Sequence, residues 1–137
     1  MRVIVAPPND DLYKNPAFGF MYTAGSNAVT AYFKDLRRFG AQVRKVLLVN
    51  AARHWNVPVA ELTTGPNVVI HEKSGRCLSY GEIAAFAEIP AKAPEVAESE
   101  LKKPDQFRLI GKDVMRVELP QKVNGTAQYA IDVQAFP

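Results

Sequence analysis

The chain has 137 residues, 47% of them hydrophobic, which is enough apolar surface for one domain with a core and too much for a disordered chain. Its 17 Lys+Arg against 14 Asp+Glu leave a net charge of +3, too small an excess for a stripe that tracks nucleic acid. The single cysteine, Cys77, excludes an internal disulfide and cannot by itself make a metal site.

The start, MRVIVAPP, carries one Arg and an apolar run far too short for a signal peptide or a membrane span. The chain therefore reads as soluble, with no targeting segment and no membrane partner, and the choice between cytoplasm and periplasm stays open. Val3 to Ala6 is predicted as a short buried strand ended by Pro7 and Pro8. NDDLYKNPAFGF then reads as loop, because Asn, Asp, Pro and Gly favour turn geometries over regular hydrogen bonding.

After Gly25 and Ser26 the apolar period becomes helical, with Val29, Phe33, Leu36, Gly40, Val43 and Leu47 recurring at steps of three and four. Ser26 or Asn27 serves as the N-cap and Pro58 marks the end. A helix over 26–54 is about 43 Å long at 1.5 Å per residue. A compact globule of this chain length is only about 37 Å across. The helix is as long as its host, so its apolar face calls for a larger body to cover it.

NVPVAELTTGPNVVIHEKSGRCLSY reads as a helical turn at Val59 to Leu62 followed by a hairpin. Its strands, Val68 to His71 and Arg76 to Ser79, meet at a Lys73-Ser74-Gly75 turn. Cys77 on the second strand is expected to be a small buried hydrophobe. Ser79 and Glu82 stand at capping-box spacing ahead of a shorter helix. Residues 89–106, rich in Pro, Ala, Glu and Lys, have linker composition. Beyond them, Phe107 to Ile110, Met115 to Leu119 and Thr126 to Val133 are predicted as strands, the last following an Asn124-Gly125 turn. The fold class is thus α+β. Both ends look cut, so the chain is expected to be a piece of a larger protein whose final segment packs loosely or drives oligomers.

Catalytic groups are scarce. His54 and His71 lack any metal-ligand spacing and are assigned surface or capping roles, and hydrolase, P-loop and dinucleotide glycine patterns are absent. Asp10 and Asp11 fall in loop and Glu95, Glu98 and Glu100 in linker, where nothing raises a carboxyl pKa by burial. No catalytic residue and no metal ligand is nominated. Arg37, Arg38, Arg44 and Lys45 form a solvated helix face, partly balanced by Asp35.

The lead-in Thr23-Ala24-Gly25-Ser26-Asn27 holds the chemical interest. Small residues let a ligand approach the backbone, and a helix start offers N–H groups and partial positive charge to a phosphate. Thr23, Gly25, Ser26 and Asn27 are the candidate cofactor-binding residues, beside the plainer reading of an ordinary N-cap.

TAGSNAVTAYFKDLRRFGAQVR resembles the Thr-Gly-Gly-Ser-x-Ser-Val stretch and following helix of the large, molybdopterin-binding subunits of isoquinoline 1-oxidoreductase-type enzymes, in the xanthine dehydrogenase and aldehyde oxidoreductase superfamily. HWNVPVAELTTGPNVVIHEKSGRCLSYGEIAAFA is similar to the next segment of that family. Phe107-Arg108-Leu109-Ile110-Gly111-Lys112, Arg116, Lys122-Val123, Gly125, Ala127, Tyr129 and Asp132 resemble the opening of its hammerhead domain. The resemblance implies that residues 1–88 are a portion of a molybdopterin-binding domain, 89–106 a linker, and 107–137 the start of a hammerhead-like domain. It implies a molybdopterin dinucleotide in the parent, whose pyrophosphate the Thr-Ala-Gly-Ser turn helps to hold, and none on the isolated chain. It further implies hydroxylation of N-heterocyclic aromatics or aldehydes with oxygen from water, with electrons leaving through a small [2Fe–2S] subunit. The expected partners are the rest of the large subunit, that small subunit and a small-molecule substrate, with self-association of the isolated chain.

Two departures weaken the turn: Ala24 and Ala28 stand where Gly and Ser are common, the second removing a hydroxyl. The family's catalytic Glu and its other cofactor loops have no counterpart here, so the isolated chain is expected to be inactive. The alternative is a non-catalytic assembly module of the same ancestry that self-associates through its helix.

Overall fold

The structure, a computed structural model, describes residues 6–133. The strand expected at Val3 to Ala6 falls, except for Ala6, outside the described residues. The chain forms two units that divide after Leu101.

The first unit opens with a one-turn helix, α1 (Asp10–Tyr13), and then the long α2 (Asn27–Trp55). A 3-10 turn (Val59–Glu61) leads into three strands, β1 (Leu62–Gly65), β2 (Val68–His71) and β3 (Arg76–Ser79), and then α3 (Tyr80–Phe86). This is the α+β architecture that the periodicities predict.

α2 runs one residue past its expected end. Asn56 stops it in the left-handed region at φ 54°, its N–H reaching the carbonyls of Ala52 and Arg53, and Pro58 bars any restart. The strands pair antiparallel in the order β1-β2-β3, with Leu62 opposite His71 and Val68 opposite Ser79. Gly75, at φ +68°, closes the β2–β3 turn as expected. β1 is a strand that the sequence reading left out. Gly65-Pro66-Asn67 turns it onto β2, with Asn67 at φ 61° supplying the left-handed residue. At α3 both halves of the capping box form: the Ser79 hydroxyl accepts from the Glu82 N–H, and the Glu82 carboxylate accepts from the Ser79 N–H.

The core lies at the C-terminal end of α2. Leu47, Leu48, Ala51 and Ala52 pack with Leu62, Val69 and Ile83, and Trp55, Val57, Leu78, Tyr80 and Ala87 close around them. Ala51, Val69 and Ile83 are fully buried. The two alanines leave α2 with little side-chain bulk at this face, which lets the sheet and α3 approach its backbone.

Asn50, buried at the edge of this core, anchors the chain leaving α3. Its Nδ2 donates to the Val46 and Glu88 carbonyls and its Oδ1 accepts from the Glu88 N–H. The segment read as linker is held to α2 through much of its length. Gln42 donates to the Pro94 carbonyl at 3.1 Å, Lys45 reaches the Glu95 carbonyl and pairs with Glu100 at 2.8 Å, and Leu101 is buried. Backbone carbonyls, which composition does not report, make most of these contacts.

The second unit begins at Lys102. The strands expected at Phe107 to Ile110, Met115 to Leu119 and Thr126 to Val133 do not form among the described residues. Local bonding takes their place: α4 (Leu119–Val123) carries Pro120 in its first turn, and the N–H groups of Thr126 and Ala127 return to the Gln121 carbonyl. No residue of 102–133 is buried. A strand needs neighbours to complete its ladder, and these segments find none within the unit. Cys77 is likewise exposed, on the outer side of edge strand β3, rather than in the core.

Ile83→Ala is expected to cost about 2–5 kcal/mol in urea unfolding, as a fully enclosed side chain that leaves a cavity. Leu36→Ala, on the uncovered part of α2, should change the same midpoint by less than about 0.5 kcal/mol. Equal effects at the two sites would show that the core is not where the packing puts it.

Candidate cofactor-binding turn

α2 starts without the expected side-chain cap. Gly25 and Ser26 lie consecutively in the left-handed region at φ 58° and 55°, and the Ser26 hydroxyl makes no capping hydrogen bond. The cap geometry that Ser favours has an extended backbone, which the left-handed conformation abandons. Gly25 is needed for its φ rather than for space, since a Cβ there would meet only Asn27 Nδ2 at 3.5 Å. The Asn27 N–H is taken by the Ala24 carbonyl at 3.1 Å, and Thr30 Oγ1 bonds Asn27 Oδ1 at 3.2 Å.

Gly25, Ser26 and Asn27 therefore come together at the helix start. Thr23 stands two residues ahead, exposed like Gly25 and Ser26. The first turn of α2 contains no acidic residue. An exposed helix N-terminus with uncapped N–H groups and no carboxylate in its first turn favours an anion such as a phosphate electrostatically.

The chain enters this turn from a loop organised by Asn15, which is fully buried. Its Nδ2 donates to the Tyr22 carbonyl, its Oδ1 accepts from the Ala17 N–H, and its own N–H reaches the Phe20 carbonyl at 2.9 Å. Phe18, Phe20 and Tyr22 cluster on the outside of the loop, with the Phe18 and Tyr22 rings edge to face at 5.2 Å. The sequence reading passed over Asn15 as one turn residue among several. The available signal was an Asn-Pro pair, whose side chain commonly bonds the backbone two residues on.

The strongest polar cluster lies elsewhere, around His71. Read as surface or capping, His71 is instead buried, because it shares the inner face of β2 with Val69. Strand alternation carried that signal. Its Nε2 meets Glu61 Oε2 at 2.9 Å and its Nδ1 meets Ser74 Oγ at 2.7 Å, while Lys73 pairs with the other Glu61 oxygen at 2.6 Å. Arg76 donates to Ser74 Oγ and lies over the Trp55 ring. These bonds tie the β2–β3 turn to the start of β1, a fastening role. His54 stacks on Phe86 at 4.5 Å between ring centres. A shallow groove of about 320 Å³ runs beside α2 past Val46, Val49, Asn50, Ile89 and Pro94. Val46 is about 29 Å along the helix from Asn27, so this groove is not part of the turn. Among the described residues no group of three or more His, Cys, Asp or Glu side chains could hold a metal ion, and no helix is long and apolar enough to cross a membrane.

Over 98% of its length the chain is 38% identical to the isoquinoline 1-oxidoreductase beta subunit of Brevundimonas diminuta. It belongs to the isoquinoline 1-oxidoreductase beta-subunit family. It spans only 21% of that relative, about a fifth of a beta subunit. A second relative, the membrane-bound aldehyde dehydrogenase [pyrroloquinoline-quinone] of Gluconacetobacter polyoxogenes, is 32% identical over 88% of the chain, which covers 16% of it. No protein-family model matches the sequence. The matched stretch includes α2, the three-stranded sheet and α3.

The Glu61 carboxyl is held below its ordinary value of 4.5, first by the Lys73 hydrogen bond and then by that of His71. A depressed carboxyl stabilises the fold fully above its unfolded pKa, and that contribution is lost as pH falls through the folded value. Glu61→Gln should therefore be less stable than the parent at pH 7, with the difference closing as pH drops below about 4.5. A constant difference from pH 7 to pH 3, measured by chemical unfolding, would remove Glu61 from that role.

Proposed function

We propose that the chain is part of the large subunit of a molybdenum hydroxylase, where it supplies scaffold for the cofactor domain. The observation that carries this reading is the match along 98% of the chain to an isoquinoline 1-oxidoreductase beta subunit. Residues 1–88 form a portion of the molybdopterin-binding domain, 89–106 a connection, and 107–137 the start of a hammerhead-like domain. In the complete protein the latter gains the strand neighbours that it lacks here.

The parent oxidises N-heterocyclic aromatics or aldehydes, using oxygen from water. The bound molybdopterin dinucleotide supplies the two-electron redox chemistry, and a small [2Fe–2S] subunit takes the electrons onward. Gly25, Ser26 and Asn27, with Thr23, hold the pyrophosphate of that dinucleotide. The backbone carries most of this binding, since N–H groups at a helix start offer hydrogen bonds and partial positive charge with no ordering of long side chains. That accounts for Ala24 and Ala28 standing where the family pattern commonly has Gly and Ser. The family's catalytic Glu has no counterpart in this sequence, so the chain alone is expected to have no activity.

A second reading, a non-catalytic assembly module of the same ancestry, draws on one feature, the uncovered apolar residues along the first half of α2.

Ser26→Asp in the complete large subunit places a carboxylate beside the pyrophosphate and should lower molybdenum content on the order of tenfold. Ser26→Ala should keep it, because the hydroxyl caps nothing. Metal analysis of the purified subunits checks both, and circular dichroism confirms that the exposed substitution leaves the helices intact. Full loading of Ser26→Asp takes Ser26 out of the site.

A further inference from the structure

The cluster that fastens the β2–β3 turn also fixes the direction of its own hydrogen bonds. The Glu61 carboxyl lies below its ordinary value, first through the Lys73 hydrogen bond and then through that of His71, so it is ionised at neutral pH. An ionised carboxylate only accepts. The 2.9 Å contact between Glu61 Oε2 and His71 Nε2 therefore places a proton on Nε2. In the neutral imidazole Nδ1 then presents a lone pair, which faces Ser74 Oγ at 2.7 Å, and the Ser74 hydroxyl donates to it. The Ser74 oxygen in turn accepts from Arg76 Nε at 2.8 Å. Arg76 Nη2 stands 3.5 Å from His71 Nδ1, too far to displace the hydroxyl.

Three requirements of an activated oxygen nucleophile thus meet at Ser74. A base is bonded to its hydroxyl, a carboxylate orients that base from the far nitrogen, and a guanidinium stands beside the oxygen where negative charge would develop. His71 is 4% exposed, with the Trp55 ring 6.5 Å away, centre to centre, and the Arg76 guanidinium over that ring. Burial keeps the imidazole from exchanging Ser74 for water. Ser74 itself is exposed on the turn, open to a small reagent.

The same geometry limits the chemistry. The Ser74 N–H is taken by the His71 carbonyl and the Gly75 N–H by the Glu72 carbonyl, so these two groups form no oxyanion hole. One acyl transfer onto the serine asks less of the turn than repeated turnover. The Arg76 guanidinium favours a donor whose leaving group is an anion, above all a phosphate.

We propose that Ser74 is an acylation site that takes its acyl group from a small acyl phosphate. Ser74 Oγ bonds to the acyl carbon as its proton passes to His71 Nδ1. The bond from that carbon to the phosphate oxygen breaks, and inorganic phosphate leaves with the electron pair. The proton on His71 then passes to solvent, and no oxidant or reductant takes part.

The test incubates the full chain with acetyl phosphate in buffer and in urea, quenches in acid and locates acetyl esters by peptide mass spectrometry. Ser74 should be acetylated at least about tenfold faster than the exposed Ser26 and Ser99 in buffer, and at their rate in urea, where the hydrogen-bond chain is lost. His71→Gln should bring Ser74 down to the rate of Ser26 in buffer, with circular dichroism reporting the fold of the variant. Where that variant does not fold, the comparison within the unsubstituted chain decides. Equal rates at the three serines in buffer, a Ser74 preference that persists in urea, or fast Ser74 acetylation in folded His71→Gln overturns the proposal.

Discussion

The fold depends on one close approach, the meeting of α2 with the sheet and α3 at Ala51, Val69 and Ile83, all fully buried. An isolated helix shorter than about 12–15 residues is marginal in water, and tertiary packing of one face stabilises most helices in proteins. Here the packing is concentrated in the last third of a 29-residue helix. The remainder of α2 extends from that anchor by an unbroken ladder of backbone bonds. Its free end carries the small-residue turn. The position of the turn is consequently set by a lever whose fulcrum lies more than 30 Å away at 1.5 Å per residue.

Asn50 decides how the anchor ends. A buried amide costs free energy unless its donors and acceptor are used, and this one is satisfied by the Val46 carbonyl and by both backbone groups of Glu88. An apolar residue there would extend the core but leave the Glu88 backbone without partners. The amide thus steers the chain leaving α3 back along the helix, where Gln42 and Lys45 hold it at Pro94, Glu95 and Glu100. Exposed ion pairs contribute little individually. The backbone carbonyls fixed beside them confine the segment to one path.

What could be read in advance follows from where the information resides. The bounds of α2 and the β2–β3 hairpin were legible because their determinants are local: a proline-free run with helical period, a Gly at a turn that demands positive φ, and a Ser79–Glu82 capping box. β1 was missed because four residues ending in Gly become a strand only by pairing with β2. The segments at 107–133 failed in the opposite direction, since their strand-like composition has no partner to realise it. His71 was misassigned for want of applying alternation from Val69, and Cys77 because an edge strand has an outer face. At the candidate turn the residue types were legible and the geometry was not. Left-handed Gly25 and Ser26 disable the hydroxyl cap that the sequence advertises, and the loop that presents the turn depends on Asn15 contacts several residues away.

The lever bears on what the turn can hold. A dinucleotide held through backbone N–H groups requires those groups to be placed to within about half an ångström, because hydrogen-bond strength falls steeply with misdirection. Within residues 6–133 the far end of α2 is steadied by the loop that buried Asn15 organises and by the bond from Tyr32 Oη to the Tyr13 carbonyl at 3.0 Å. A long helix flexes around any single anchor, and displacement grows with distance from it.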